Sequence, residues 1–129
     1  AVAKDPRIRT LVLHNTGVFN EPPPEAMRSV DLGKAALDLV HSPTIYILGG
    51  PTDIAYANGM DDFRRIRDVP VVVANLPVGH GGTFMQPNGG EAASVAVSWL
   101  NWQLRGDTRA ALRFVGPSCG LCRDPQCTL

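Results

Sequence analysis

An aspartate and a histidine each follow a strand-like apolar run of the sequence, and together these side chains can perform acid–base chemistry. Asp53 ends the turn Gly-Gly-Pro-Thr-Asp after the run at 44–48, and His80 lies in a glycine-rich turn after the run at 69–76. A buried carboxylate can accept the Nδ1 proton of an imidazole, which leaves Nε2 free to take a proton from a nucleophile. We interpret Asp53 and His80 as such a catalytic pair.

Each residue has an ordinary structural interpretation when it is taken singly. Asp53 is typical of an aspartate that opens a turn or a helix, and His80 is typical of a solvated loop histidine. The position of both at corresponding ends of two strands favours the catalytic interpretation.

The elements that must position this pair are indicated by hydrophobic patterning. Strands are predicted at 8–15, 44–48 and 69–76, and helices at 35–40, 55–67, 91–104 and 107–114. The strand runs are nearly continuous in Leu, Ile and Val, as parallel strands covered on both faces are. Strands that alternate with helices predict an α/β fold with a parallel sheet. Ligand sites in such sheets lie at the carboxyl ends of the strands, where Asp53 and His80 are expected to meet.

The composition is that of an ordinary globular domain. The 129 residues are 44% hydrophobic and 19% charged, with a formal net charge of zero. Clustered Lys and Arg, which contact with nucleic-acid phosphates requires, are lacking, and no apolar stretch has the length of a membrane span. We expect one domain over residues 1–129, with no nucleic-acid partner and no membrane span.

The three cysteines lie close together near the end of the sequence, at Cys119, Cys122 and Cys127. The CGLC segment lacks the strand-then-helix setting of a thioredoxin-type motif, and no nearby histidine supplies a fourth zinc ligand. We expect a tail loop with at most one local disulfide, and no metal site.

The order of these motifs resembles a known family. A strand, GGPTD, a helix, the strand VPVVVANL, PVGHGGTF and a long helix containing WLNWQL are similar to the C-terminal part of the α/β-hydrolase fold. In that family the catalytic triad follows the order nucleophile, acid, histidine, with the acid after the seventh strand and the histidine after the eighth. Asp53 and His80 match those two positions. The segment AVAKDPRIRTLVLHNTG resembles the end of the helix after the nucleophile, continuing into the sixth strand.

This resemblance implies the C-terminal portion of a single α/β-hydrolase domain, with about three parallel strands and crossover helices. It further implies a serine hydrolase that cleaves a small-molecule carboxylic ester and needs no cofactor, with His80 as general base and Asp53 as its orienting acid. The serine is then expected on a G-x-S-x-G turn upstream of Ala1, about fifteen to twenty-five residues away if the intervening helix has ordinary length.

The G-x-S-x-G pattern occurs once in this sequence, around Ser118. A nucleophile turn needs a strand before it and a helix after it, and the few residues that follow Gly120, with Pro125 among them, do not predict such a helix. Ser118 is therefore not assigned as the nucleophile.

Other polar residues are given structural interpretations. His14 is interpreted as a hydrogen-bonded core group near the end of the first strand, where it can also line the pocket. Asp61 and Asp62 are interpreted as the exposed face of a helix. The segment 19–34 is expected to be a surface connection, with a cap over the pocket as the alternative.

Two further function classes are compatible with parts of the sequence. A non-catalytic half-domain would bind a small ligand or a partner chain, because the first strand would have an open apolar edge that needs covering. The N-terminal half of the same fold or a second chain would cover that edge. A small nucleotide-binding domain lacks a G-x-G-x-x-G motif after any strand.

Overall fold

A three-stranded parallel sheet forms the centre of the protein in the computed structural model, which describes residues 4–124. Strand β1 is Leu11–His14, β2 is Thr44–Leu48 and β3 is Val71–Asn75. β2 lies between the other two and pairs in parallel with both. The predicted mixed α/β fold with three parallel strands is therefore confirmed.

The first and third strands are shorter than the apolar runs that predict them. Pro70 has no N–H to donate, so the β3 ladder begins at Val71. The carbonyl of Pro70 still accepts from the N–H of Thr44 at 3.0 Å, which ties the start of β2 to the start of β3.

In the described part of the chain, four α-helices accompany the sheet: α1 is Tyr56–Arg65, α2 is Gly90–Arg105, α3 is Thr108–Ala111 and α4 is Gly120–Arg123. The same part has three 3₁₀ segments in the connections, Glu25–Met27, Lys34–Leu39 and Pro87–Gly89. The helix predicted at 35–40 is thus a 3₁₀ helix. Its six residues follow Gly33, which provides no capping side chain, and so short a segment favours the tighter geometry.

The core consists of one apolar layer on each face of the sheet. On the α2 face, Ile45 and Ile47 pack with Val95 and Trp99. On the opposite face, Tyr46, Leu48 and Val73 belong to a second layer, against which residues of α1 pack. All five residues of β2 are buried, which explains why its sequence is apolar without alternation.

The ends of the helices explain how the chain turns between them. α2 ends at Gly106, which has a left-handed φ of 69°. Asp107 then caps α3, because its carboxylate accepts from the N–H groups of Arg109 and Ala110. Among residues 4–124, no helix combines the length and apolarity that a membrane crossing requires.

Candidate active site

The turn after β2 buries Asp53 and holds its carboxylate from two sides. Oδ2 accepts from the N–H of Gly49 at 3.1 Å, and Oδ1 accepts from the N–H of Ala55 at 2.8 Å. Asp53 is only 4% exposed. The bond to Ala55 is the turn-forming role expected of an aspartate before a helix, so one carboxylate both shapes the turn and remains available to a further partner.

That further partner is His80, in the turn after β3. Its Nδ1 lies 2.7 Å from Oδ1 of Asp53. The predicted meeting of these side chains at the carboxyl ends of neighbouring strands is confirmed. Because an ionised carboxylate only accepts hydrogen bonds, the neutral ring carries its proton on Nδ1 and leaves Nε2 unprotonated. Their catalytic roles stay a prediction.

The environment of Asp53 keeps the carboxylate charged. Burial raises its pKa, but hydrogen bonds from the N–H of Ala55, from His80 and from the N–H of Gly49 together lower the pKa below its ordinary value. The group is therefore an anion at neutral pH. The His80 side chain, in contrast, is 51% exposed. The pair thus joins a fixed buried charge to a ring that solvent reaches.

The turns after β2 and β3 pack directly against each other through their backbones. The N–H of Gly79 donates to the carbonyl of Gly49 at 2.7 Å. A Cβ added to Gly49 would lie 2.1 Å from the carbonyl oxygen of Gly79, so no other residue fits there without moving the turn. This contact explains the requirement for glycine after β2.

Two residues at the end of β1, His14 and Asn15, lie near His80. The sequence analysis misjudged the surroundings of His14 and did not include Asn15. Asn15 donates from Nδ2 to the backbone carbonyl of His80 at 2.5 Å. His14 packs edge-on against Phe84, with ring centroids 5.3 Å apart. Within residues 4–124 the His14 ring has no hydrogen-bond partner, so its interpretation as a hydrogen-bonded core group is wrong. Burial lowers its pKa, which favours the neutral ring that packs on an aromatic neighbour.

Apolar side chains adjoin both members of the pair in sequence and are exposed. Ile54 follows Asp53 directly and is 81% exposed, while Val78, Phe84 and Met85 surround His80 in the chain.

No nucleophile accompanies His80 among the described residues. Nε2 of His80 makes no hydrogen bond within residues 4–124. Ser118 instead accepts from Arg123 at 2.6 Å, in a turn that follows no strand and precedes the four-residue α4. Ser94 and Ser98 lie in α2 and accept from Arg113. Ser118 thus lacks the preceding strand of a nucleophile turn, although a short helix, which the sequence does not predict, follows it.

Cys119 and Cys122 form a disulfide, in agreement with the expectation of at most one local disulfide in this segment. Cys119 is buried in the α2-side core layer. Cys127 lies outside the described residues. In the part of the chain that the structure describes, no group of three or more His, Cys, Asp or Glu side chains is arranged to hold a metal ion.

The acidic pair in α1 is divided between two environments. Asp61 is partly exposed and pairs with Lys34 and Arg65. Asp62 is fully buried, so the prediction that both face solvent is wrong for Asp62. Neighbouring residues on a helix point about 100° apart, and here only the second of the two faces the sheet.

An apolar pocket of about 380 Å³ lies between β1 and the segment that joins it to β2. Leu13 and Tyr46 form part of its wall from the sheet, and Val18, Phe19 and Met27 contribute from the connection. Most of the segment 19–34 is exposed, as expected of a surface connection, and part of it lines this open pocket.

Comparison with known proteins gives no relative: the chain matches no protein-family model and no curated protein.

Proposed function

We propose that Asp53 and His80 are the acid and the histidine of the catalytic triad of a serine hydrolase that cleaves carboxylic esters, built on the α/β-hydrolase fold. The observation that supports this is the 2.7 Å contact between the buried Asp53 carboxylate and Nδ1 of a half-exposed imidazole, at the carboxyl edge of a parallel sheet.

The chemistry follows from the protonation of the pair. Nε2 of His80 takes the proton of a serine hydroxyl as the oxygen attacks the ester carbonyl, and then delivers that proton to the departing alcohol. In the second half of the cycle Nε2 takes a proton from water as the water oxygen attacks the acyl-enzyme, and then returns that proton to the serine oxygen as the acid leaves. Asp53 keeps Nδ1 protonated and stabilises the imidazolium that forms in each half.

The serine belongs to a segment outside residues 4–124, either in the N-terminal half of the same fold or in a second chain. One edge of β1 pairs with no strand within residues 4–124, and such a segment is expected to join the sheet at that edge. Sequence upstream of Ala1 tests the first of these two possibilities, which requires a strand, G-x-S-x-G and a helix in that order.

The decisive experiment measures hydrolysis of p-nitrophenyl esters by the full-length protein and two variants. His80→Ala is expected to lower kcat about 10⁴-fold or more, since it removes the base. Ser118→Ala is the matched control and is expected to leave kcat unchanged. Loss of activity in Ser118→Ala, or retention in His80→Ala, contradicts the assignment.

A second function, a non-catalytic half-domain that binds a small ligand or a partner chain, is favoured by the apolar pocket beside β1. Its volume of about 380 Å³ lies in the range of small-molecule sites. A fluorophosphonate probe separates the two functions, because it labels only an activated serine. Labelling of the full-length protein that disappears in His80→Ala supports the hydrolase, and absence of labelling supports the binding domain.

A further inference from the structure

Asn15 has an unusual backbone at the point where β1 ends. Its N–H makes the last hydrogen bond of the strand pair, to the carbonyl of Ile47 at 2.9 Å. Its φ is 42°, in the left-handed region that non-glycine residues rarely adopt. Asparagine is among the residues that tolerate this conformation best, and the resulting turn sends the side chain across the edge of the sheet.

The side chain of Asn15 reaches the turn that carries His80, although β2 lies between their two strands. Nδ2 donates to the His80 carbonyl oxygen at 2.5 Å. Gly82 leaves room for this contact, because a Cβ added there would lie 3.0 Å from Nδ2 of Asn15 and the residue has a φ of 60°. The left-handed backbone of Asn15 and the missing side chain of Gly82 thus both allow this one hydrogen bond.

His80 is held at three points, and each point fixes something different. The ring is held by Asp53, the start of the turn is held by the Gly79–Gly49 backbone bond, and the carbonyl is held by Asn15. The ring itself is half exposed, so few packing contacts orient it. Within residues 4–124, the amide of Asn15 is the only hydrogen-bond donor at a strand end that reaches the carbonyl of His80.

We propose that Asn15 is a positioning residue for His80: its amide fixes the His80 peptide so that Nδ1 stays directed at Asp53. The geometric part stands on the contacts above. The catalytic consequence rests on the proposed hydrolase function, since misplacement of a base by about 1 Å can slow a reaction about a hundredfold.

Three variants of the full-length protein separate the amide from the backbone conformation. Asn15→Gly keeps the left-handed backbone and removes the donor. Asn15→Asp keeps the shape but places a carboxylate oxygen against the His80 carbonyl. Asn88→Gly is the control, because Asn88 also has a positive φ, of 57°, but makes no hydrogen bond to His80.

The first readout is the tautomer of His80, measured by long-range ¹H–¹⁵N NMR at a pH where the ring is neutral. We expect the wild type and Asn88→Gly to show the Nδ1–H form, and both Asn15 variants to gain the Nε2–H form. A tautomer population that is unchanged in both Asn15 variants overturns the proposal, and a folded Asn15→Asp keeps it testable if Asn15→Gly does not fold.

The second readout is ester hydrolysis, in which kcat is expected to fall about ten- to a hundredfold in the Asn15 variants with KM unchanged. If the Asn15 variants shift the tautomer but the wild type cleaves no ester, the hydrolase proposal is contradicted and Asn15 remains a positioning residue. If the wild type cleaves esters and the Asn15 variants match it in tautomer and in kcat, the positioning role is contradicted and the hydrolase proposal remains.

Discussion

Two buried aspartates lie at α1, Asp53 before the helix and Asp62 within it, and they differ in the kind of partner that each one binds. Each accepts a backbone N–H, from Ala55 and from Val18 respectively. Asp62 also accepts from the hydroxyl of Tyr46 at 3.2 Å and from Nζ of Lys34 at 2.5 Å. Asp53 instead meets an imidazole whose second nitrogen is not bonded within residues 4–124.

The difference distinguishes a closed network from an open one. Every partner of Asp62 is a donor, and Lys34 also pairs with Asp61, so the network anchors the segment after β1 to α1 and to β2. The partner of Asp53 has a second nitrogen that can exchange a proton with a substrate or a nucleophile. Burial of a carboxylate alone therefore says little about its function. The two aspartates are distinguished by whether the partner has a further group that can exchange a proton.

The largest expected effect comes from Asp53→Asn in the full-length protein. The amide cannot hold the same tautomer of His80, so we expect kcat for ester hydrolysis to fall about 10⁴-fold, equivalent to about 5.5 kcal/mol. Asp62→Asn, assayed alongside, is expected to affect the unfolding transition far more than kcat of the folded fraction. A decrease in kcat of less than about tenfold in Asp53→Asn contradicts the catalytic role of Asp53.

The next effect is on stability and separates Asp62 from its neighbour. Asp62→Ala leaves Lys34 and the Tyr46 hydroxyl without their buried acceptor, and we expect a loss of about 3 kcal/mol in the free energy of unfolding. Asp61→Ala removes only partly exposed ion pairs and is expected to cost under about 1 kcal/mol. Denaturant unfolding measures both. Equal losses in the two variants mean that Asp62 is not a buried anchor.

The smallest effect sharpens the picture of the closed network. Burial, and then the charge and hydrogen bond of Asp62, raise the pKa of Tyr46, so its hydroxyl stays a donor through the neutral range. Tyr46→Phe is expected to cost about 1–2 kcal/mol, because it removes one bond to a charged acceptor. Tyr56→Phe is the control, since the Tyr56 hydroxyl makes no hydrogen bond within residues 4–124. Thermal unfolding that gives the same shift for both variants contradicts the role of the Tyr46 bond.

Much of the fold and the central pair of the site are predictable from the sequence. Continuous apolar runs, each followed by a glycine-rich turn, indicate buried parallel strands, and parallel strands bring their carboxyl ends to one edge. Asp53 and His80 follow such runs, so their meeting requires no knowledge of side-chain packing.

The misjudged residues depend on tertiary contacts that no local pattern contains. Asp62 is buried because Lys34, distant in sequence, supplies the charge that makes burial tolerable, whereas two consecutive aspartates in a sequence are typical of an exposed face. Asn15 is visible only as an asparagine after a strand, a weak signal for a left-handed residue, and its partner lies two strands away.

The anchors of His80 also differ in how much chain separates each from the histidine. The Asp53 contact closes 27 residues, and the Asn15 contact closes 65. The conformational entropy of closing the longer loop adds only about 0.8 kcal/mol. Chain separation alone therefore sets no order in which the two contacts form, and we expect the site to be complete only when all three strands have docked.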